Sequence, residues 1–114
     1  MRVSRNLEKS IQSSVIGWAK KQGIRCDKLS SGSVFQVSGL PDFIIWIPGG
    51  LPLLIEFKSE IGKLSALQAA THDQLKSLGY DVHVINDTLI GKQLIKQKWE
   101  EANGTKKNNS GLRK

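Results

Sequence analysis

The sequence predicts an α/β fold: a mixed central sheet of about four strands flanked by helices, in the order α-β-β-β-α-β-α. Three observations predict it. Two short apolar runs, residues 43–47 and 51–57, flank Pro48, Gly49 and Gly50 and read as the strands of a hairpin. Amphipathic stretches at residues 5–22, from Ser65 to about Leu78, and over 88–102 carry helical spacing. An alternating run at 81–86 follows the second of these helices, so a right-handed parallel crossover is the expected connection.

In the first helix, Leu7, Ile11, Val15 and Trp18 recur at spacings of 4, 4 and 3 and form one stripe. Ser4 suits its start and Gly23 its end. Glu8 lies about 100° around from Leu7, at the edge of that stripe. Residues 24–32 read as a connector with a turn at 30–32, and residues 33–37 as the first strand. Gly39 then opens a tight passage into Pro41 and Asp42.

The hairpin has a readable register. If Pro48, Gly49 and Gly50 form a three-residue loop, Ile47 opposes Leu51, and counting outward sets Asp42 opposite Glu56. Lys58 shares the face of Glu56, while Phe57 takes the other. Residues so opposed have Cβ atoms about 4.5–5.5 Å apart, and like charges there destabilise a hairpin unless a cation lies between them. A two-residue loop would put the acids on opposite faces. The plain alternative is a hairpin with solvated charged ends.

In the second helix, Leu67, Thr71, Leu75 and Leu78 form the expected buried stripe. Ser65 and Gln68 fit a capping box, in which Gln68 bonds the backbone of Ser65. His72 and His83 have no partner at zinc-ligand spacing and read as non-ligands. Asp87 suits the cap of the last helix, which offers Leu89, Ile90, Leu94 and Trp99 for packing.

The residues Gly39, Leu40, Pro41 and Asp42, then Glu56, Phe57 and Lys58, then Gly62, Lys63, Leu64, Ser65, Ala66, Leu67 and Gln68 stand in an order that resembles a known family. It is the virus-type replication-repair nuclease domain, VRR-NUC, of the PD-(D/E)XK nuclease superfamily. Its G-x-P-D, E-x-K and L-S-x-x-Q segments are each short; all three in order, at these gaps, form a specific signal. The resemblance spans roughly residues 5–87 and departs at Ala66, where the family often has proline. It implies a restriction-endonuclease-like core and a metal-dependent DNA nuclease. Asp42, Glu56, Lys58 and Gln68 would be its catalytic residues. Glu8, Asp42, Glu56 and the backbone carbonyl of Phe57 would be its metal ligands. Glu8 also fits a first-turn acid favouring the positive helix end, and Gln68 a simple cap.

Two carboxylates suit a hard cation, Mg²⁺ or Mn²⁺. The implied partner is DNA, branched in the first reading, because small stand-alone members of the family resemble junction-resolving enzymes. A nicking or restriction-type nuclease and a non-catalytic DNA-binding module are the alternatives. The intact Asp42, Glu56 and Lys58 set argues against the last. A junction cut symmetrically needs two sites, so a two-fold homodimer is expected, with Trp46 and Trp99 as candidate interface residues.

Composition agrees with a polyanionic partner. The 114 residues make one domain, assigned to 1–102, and carry a net charge of +7. Four of the 17 basic side chains, Lys106, Lys107, Arg113 and Lys114, stand in the polar segment 103–114, which reads as a basic, disordered tail. Cys26 is the single cysteine, so no internal disulfide and no Cys-rich zinc site forms within the chain. The first ten residues lack an apolar signal core, and no run reaches the roughly 20 apolar residues of a membrane helix. The expectation is an intracellular protein with no membrane association and no organic cofactor.

Overall fold

The structure, a computed structural model, describes residues 7–29 and 39–104. Helix α1 (Leu7–Lys21) leads into strand β1 (Arg25–Lys28), followed by β2 (Phe43–Trp46) and β3 (Leu53–Phe57). Helix α2 (Ala66–Ser77), strand β4 (Asp81–Ile85) and helix α3 (Thr88–Trp99) complete the α-β-β-β-α-β-α order. The strands lie in the order β1-β2-β3-β4; the first two pairings are antiparallel and β3–β4 is parallel, so the sheet is mixed. Among the described residues no helix is long and apolar enough to cross a membrane.

Strand β1 lies inside the stretch that reads as a connector in the sequence. Three of its four residues are charged, which hides it from any hydrophobic pattern. Only Cys26 turns into the core; Arg25 and Asp27 pair with each other on the other face, at 2.7 Å. The strand exists because β2 supplies its hydrogen-bonding partner, and its charges suit a sheet edge. The strand expected at 33–37, the turn at 30–32, the Ser4 cap and the tail from residue 105 lie outside the described residues.

The hairpin has the register read from its loop. Phe43 pairs with Ile55 and Ile45 with Leu53, an offset that sets Ile47 against Leu51 and Asp42 against Glu56. Both strands are shorter than their apolar runs, because Pro48 and Pro52 have no N–H to give to a ladder. At Asp42 the chain leaves the ladder. Its amide donates to the carbonyl of Ile55 at 3.0 Å, and its Oδ2 accepts from the amide of Phe57 at 2.8 Å. The side chain thus takes the place of a main-chain acceptor.

Side-chain alternation divides the sheet into two faces. Helices α1 and α3 cover one, where Cys26, Phe43, Ile45, Leu53, Ile55, Phe57 and Ile85 form a continuous core with Ile11, Val15, Ala19 and Ile95. The helices cross closely at Gly91, where any Cβ would meet Val15 at 2.8 Å and Ile85 at 3.0 Å. On α3 the buried positions are Gly91 and Ile95, with Leu94 half-buried; Leu89, Ile90 and Trp99 are exposed. That corrects the packing set expected for this helix.

Helix α2 packs against β4 on the opposite face, over Leu54, Glu56 and Val82. Its expected apolar stripe is not buried: Leu67 is 54% and Leu78 65% exposed, whereas His72 is 2% exposed. The physical reason is the sheet beneath. That face carries a buried glutamate, so the helix turns polar side chains inward and leaves leucines outside.

Asp87 caps α3 through Ile90 at 2.9 Å. The helix ends at Trp99 and relaxes into a π-helical turn, Glu100–Gly104. Asn103 in that turn donates to the carbonyl of Pro48 at 2.6 Å and to that of Trp99 at 2.9 Å. The described residues run to Gly104, two beyond the expected boundary at 102.

Candidate active site

Glu56 is the centre of the polar face. It sits near the end of β3, 3% exposed, with its Oε2 accepting from Nε2 of Gln68 at 3.1 Å. Lys58, two residues on and therefore on the same face, brings Nζ to 3.8 Å from the same oxygen. Asp42 stands across the hairpin. Burial first, then the Asp42 charge, push Glu56 up from its ordinary 4.5 to about 7. Lys58 opposes that rise, while the Glu8 charge and a carboxyl–carboxyl hydrogen bond with Asp42 add to it.

Gln68 satisfies both of its readings at once. Its Oε1 accepts from the amide of Ser65 at 2.9 Å, and its own amide donates to Ser65 Oγ at 3.1 Å, so the capping box is complete. With Oε1 so used, the amide must present Nε2 to Glu56. The cap is thus what aims the side chain. Gly39 secures the other side of this junction: it has φ +89°, and a Cβ there would meet Thr71 Oγ1 at 2.6 Å and Leu67 Cγ at 3.1 Å. The loop into Asp42 lies directly on α2.

The structure therefore brings together Asp42, Glu56, Lys58 and Gln68. Glu8 is exposed in the first turn of α1 and reaches Glu56 only through its charge. Phe57 turns its ring into the core and its amide toward Asp42. The two main-chain groups of a strand residue face the same neighbour, so its carbonyl is directed to that edge as well.

Among the described residues no three His, Cys, Asp or Glu side chains form a ready metal cluster. A two-carboxylate set remains, and it fits a divalent cation. Glu56 Oε1 is buried and has no hydrogen-bond partner, and its carboxyl is held back from ionising by burial and then by the Asp42 charge. An unpartnered buried acceptor costs about 1–3 kcal/mol, and a cation relieves both faults together. Two carboxylates and one carbonyl suit an ion that keeps several waters.

His72 is the residue that sequence reasoning set aside. It lies one turn beyond Gln68 on the same helix face, with Nε2 3.9 Å from Glu56 Oε1. That i, i+4 relation to Gln68 was the available signal. Burial, chiefly, and then Lys76 hold it below the usual histidine range, which favours the neutral ring. His83 lies on the other face, 2.7 Å from Asp81, which also pairs with Lys98 at 3.1 Å. A groove of about 480 Å³ between α1 and α3, lined by Trp18, Leu89, Ile95 and Trp99 with Lys92 and Lys96, contains no acid and lies away from Glu56.

The family model of the VRR-NUC domain matches residues 5–88. A solved structure described as a VRR_NUC domain superposes with a TM-score of 0.66 at 26% identity, covering 78% of this chain and 94% of its own. A second, described as a VRR_NUC domain protein, has a TM-score of 0.67 at 24% identity and covers 81% and 87%; it speaks for the fold alone. No match is found among the curated proteins. The match spans most of the chain and includes Asp42, Glu56, Lys58 and Gln68: the chain belongs to the VRR-NUC family and has a nuclease-type fold.

Proposed function

We propose that this chain is a divalent-metal-dependent DNA endonuclease that hydrolyses phosphodiesters, with branched DNA as its preferred substrate. The observation that carries the reading is the buried Glu56, set opposite Asp42 by the hairpin register, with Lys58 on the same face. A binding module has no use for two opposed acids, one of them hard to ionise.

Asp42, Glu56 and the Phe57 carbonyl would hold Mg²⁺ or Mn²⁺. Such an ion, when bound, polarises a phosphate and lowers the pKa of a coordinated water. Lys58 stands where its ammonium can position that water or neutralise charge developing on the phosphate. Gln68 has its carbonyl committed to Ser65 and an N–H to Glu56, so its part is to fix the Glu56 carboxylate rather than to touch phosphate. Glu8 adds negative potential at Glu56 and would favour the ion from the first turn of α1. The net charge of +7 favours a polyanion.

Cutting a four-way junction on both strands calls for two such sites, which a two-fold dimer supplies. Exposed Leu89 and Trp99, on one side of α3, offer an apolar face for it. Trp46 is exposed too, but its indole already donates to Asp27 at 2.6 Å. The test is incubation with Mg²⁺ or Mn²⁺ and single-stranded, duplex, flap and four-way DNA, with EDTA as control. Metal-dependent cleavage of the branched forms is expected; DNA binding without cleavage under every metal would leave a binding module. Light scattering at micromolar concentration tests the dimer, and a mass near 12.6 kDa with active cleavage would remove it.

A further inference from the structure

Helix α2 faces Glu56 with two side chains one turn apart. Gln68 takes Oε2 at 3.1 Å. The other oxygen, Oε1, lies 3.9 Å from Nε2 of His72, and neither atom has a hydrogen-bond partner. Both atoms are shut off from solvent, so bulk water serves neither. The gap is about 1 Å longer than an N–H···O hydrogen bond. Closing it requires the two side chains to approach each other by about 1 Å.

We infer that His72 is a positioning residue for Glu56: its Nε2–H donates to Oε1, so that α2 holds the carboxylate at both oxygens, Gln68 on one and His72 on the other. The geometry asks for one tautomer. A neutral imidazole carries a single proton, and only on Nε2 does it face the carboxylate. Burial of both atoms also removes the competing water. A carboxylate held at both oxygens has a fixed plane, and its remaining lone pairs are then aimed rather than free to swing.

The consequence for metal binding rests on the nuclease reading above; the hydrogen bond itself does not. Two measurements on the full chain keep them apart. Long-range ¹H–¹⁵N correlation on ¹⁵N-labelled protein at pH 8, with and without Mg²⁺, reports which ring nitrogen of His72 carries the proton. A protonated Nε2 and a bare Nδ1 are expected, and a bare Nε2 under both conditions overturns the inference. Calorimetric titration with Mn²⁺ then compares His72→Gln, which keeps a donor near the Nε2 position, with His72→Leu, which keeps bulk alone. His72→Leu should bind Mn²⁺ ten- to a hundredfold more weakly, as for loss of other outer partners of a metal ligand, and His72→Gln within about threefold of the parent. Equal affinity in His72→Leu and the parent, or equal loss in both variants, contradicts the positioning role. A parent protein that binds no Mn²⁺ while its Nε2 is protonated would remove the metal reading and leave the hydrogen bond standing.

Discussion

The two faces of the sheet are built from the same strands and obey different rules. Under α1 and α3 the contact is dry: Val15, Ile45, Leu53, Ile55, Phe57 and Ile95 are fully buried, and Gly91 lets the helices touch. Under α2 lies a carboxyl group that is reluctant to ionise, an imidazole without a partner and an amide shared between a helix cap and the acid. One face supplies stability and the other is held in place by it. Glu56 can be buried with an unsatisfied oxygen because Leu53, Ile55 and Phe57, on the same strand, anchor it from the far side.

The largest effects that test this division lie on the polar face. Asp42→Asn keeps the acceptor for the Phe57 amide but removes a charge, so the fold should survive. Cleavage should fall by at least about 10³-fold, near the upper end for loss of an electrostatic catalytic group. Glu56→Gln should do the same. Full activity in either variant at saturating Mg²⁺ would remove the site. Lys58→Ala should lower the cleavage rate by about 10²-fold, with metal affinity little changed. If titration showed metal binding lost and the chemistry intact, Lys58 would belong with the ligands instead.

The apolar face should give the reverse pattern. Ile95 is fully buried beneath α3, so Ile95→Ala should cost about 2–5 kcal/mol in denaturant unfolding. Cleavage per folded molecule should stay within about twofold of the parent. A matching loss of turnover would mean that the faces are coupled more tightly than their separate packing indicates.

The acidity of Glu56 distinguishes the faces by pH. Its folded value is raised from 4.5 to about 7, so between these limits the folded chain keeps a proton that the unfolded chain releases. Stability from this group is complete below about pH 4.5 and declines as pH rises through 7, by at most about 3 kcal/mol without metal. His72 works the other way. Its lowered value means that the unfolded chain binds the extra proton below its ordinary 6.5, which adds stability as pH rises. Asp27 and Asp81 are depressed below 3.8 and act at lower pH. The difference between the parent and Glu56→Gln therefore isolates the group: the variant should gain on the parent from pH 5 to 8, and Mg²⁺ should erase the gain. A flat difference would show that Glu56 ionises normally in the folded chain.

How much of this was legible in the sequence follows the same division. The hairpin offset could be read because Pro48, Gly49 and Gly50 fix the parity between two apolar runs, which set Asp42 against Glu56. The caps at Ser65 and Asp87 were readable because a cap is a local bond. Strand β1 was not, since Arg25, Asp27 and Lys28 carry no apolar signal and the strand forms only against β2. His72 was missed because it faces Glu56, 16 positions earlier on another element, and no fixed spacing joins them. Hydrophobic periodicity finds the face that makes the core; it is silent about a helix whose inner face is a site.

The smallest expected effect is the sharpest test of that last point. Periodicity assigns Leu67 and Leu78 to the buried stripe of α2, and truncating a buried leucine costs about 2–5 kcal/mol. The structure turns both outward, 54% and 65% exposed, with His72 inside. Surface changes away from special features usually stay within about 0.5 kcal/mol. Leu78→Lys should therefore leave the unfolding midpoint nearly unchanged. Leu67→Gln needs more care, because Leu67 Cγ lies 3.1 Å from where a Cβ on Gly39 would stand, so its stem touches the loop leading to Asp42. Glutamine keeps that stem and replaces only the branched tip, so it too should fall within the same range. A loss above about 2 kcal/mol in both would put the leucines inside and rotate α2 by roughly one residue. That rotation would carry Gln68 and His72 off Glu56, so a stability measurement on two exposed leucines also tests the arrangement of the candidate site.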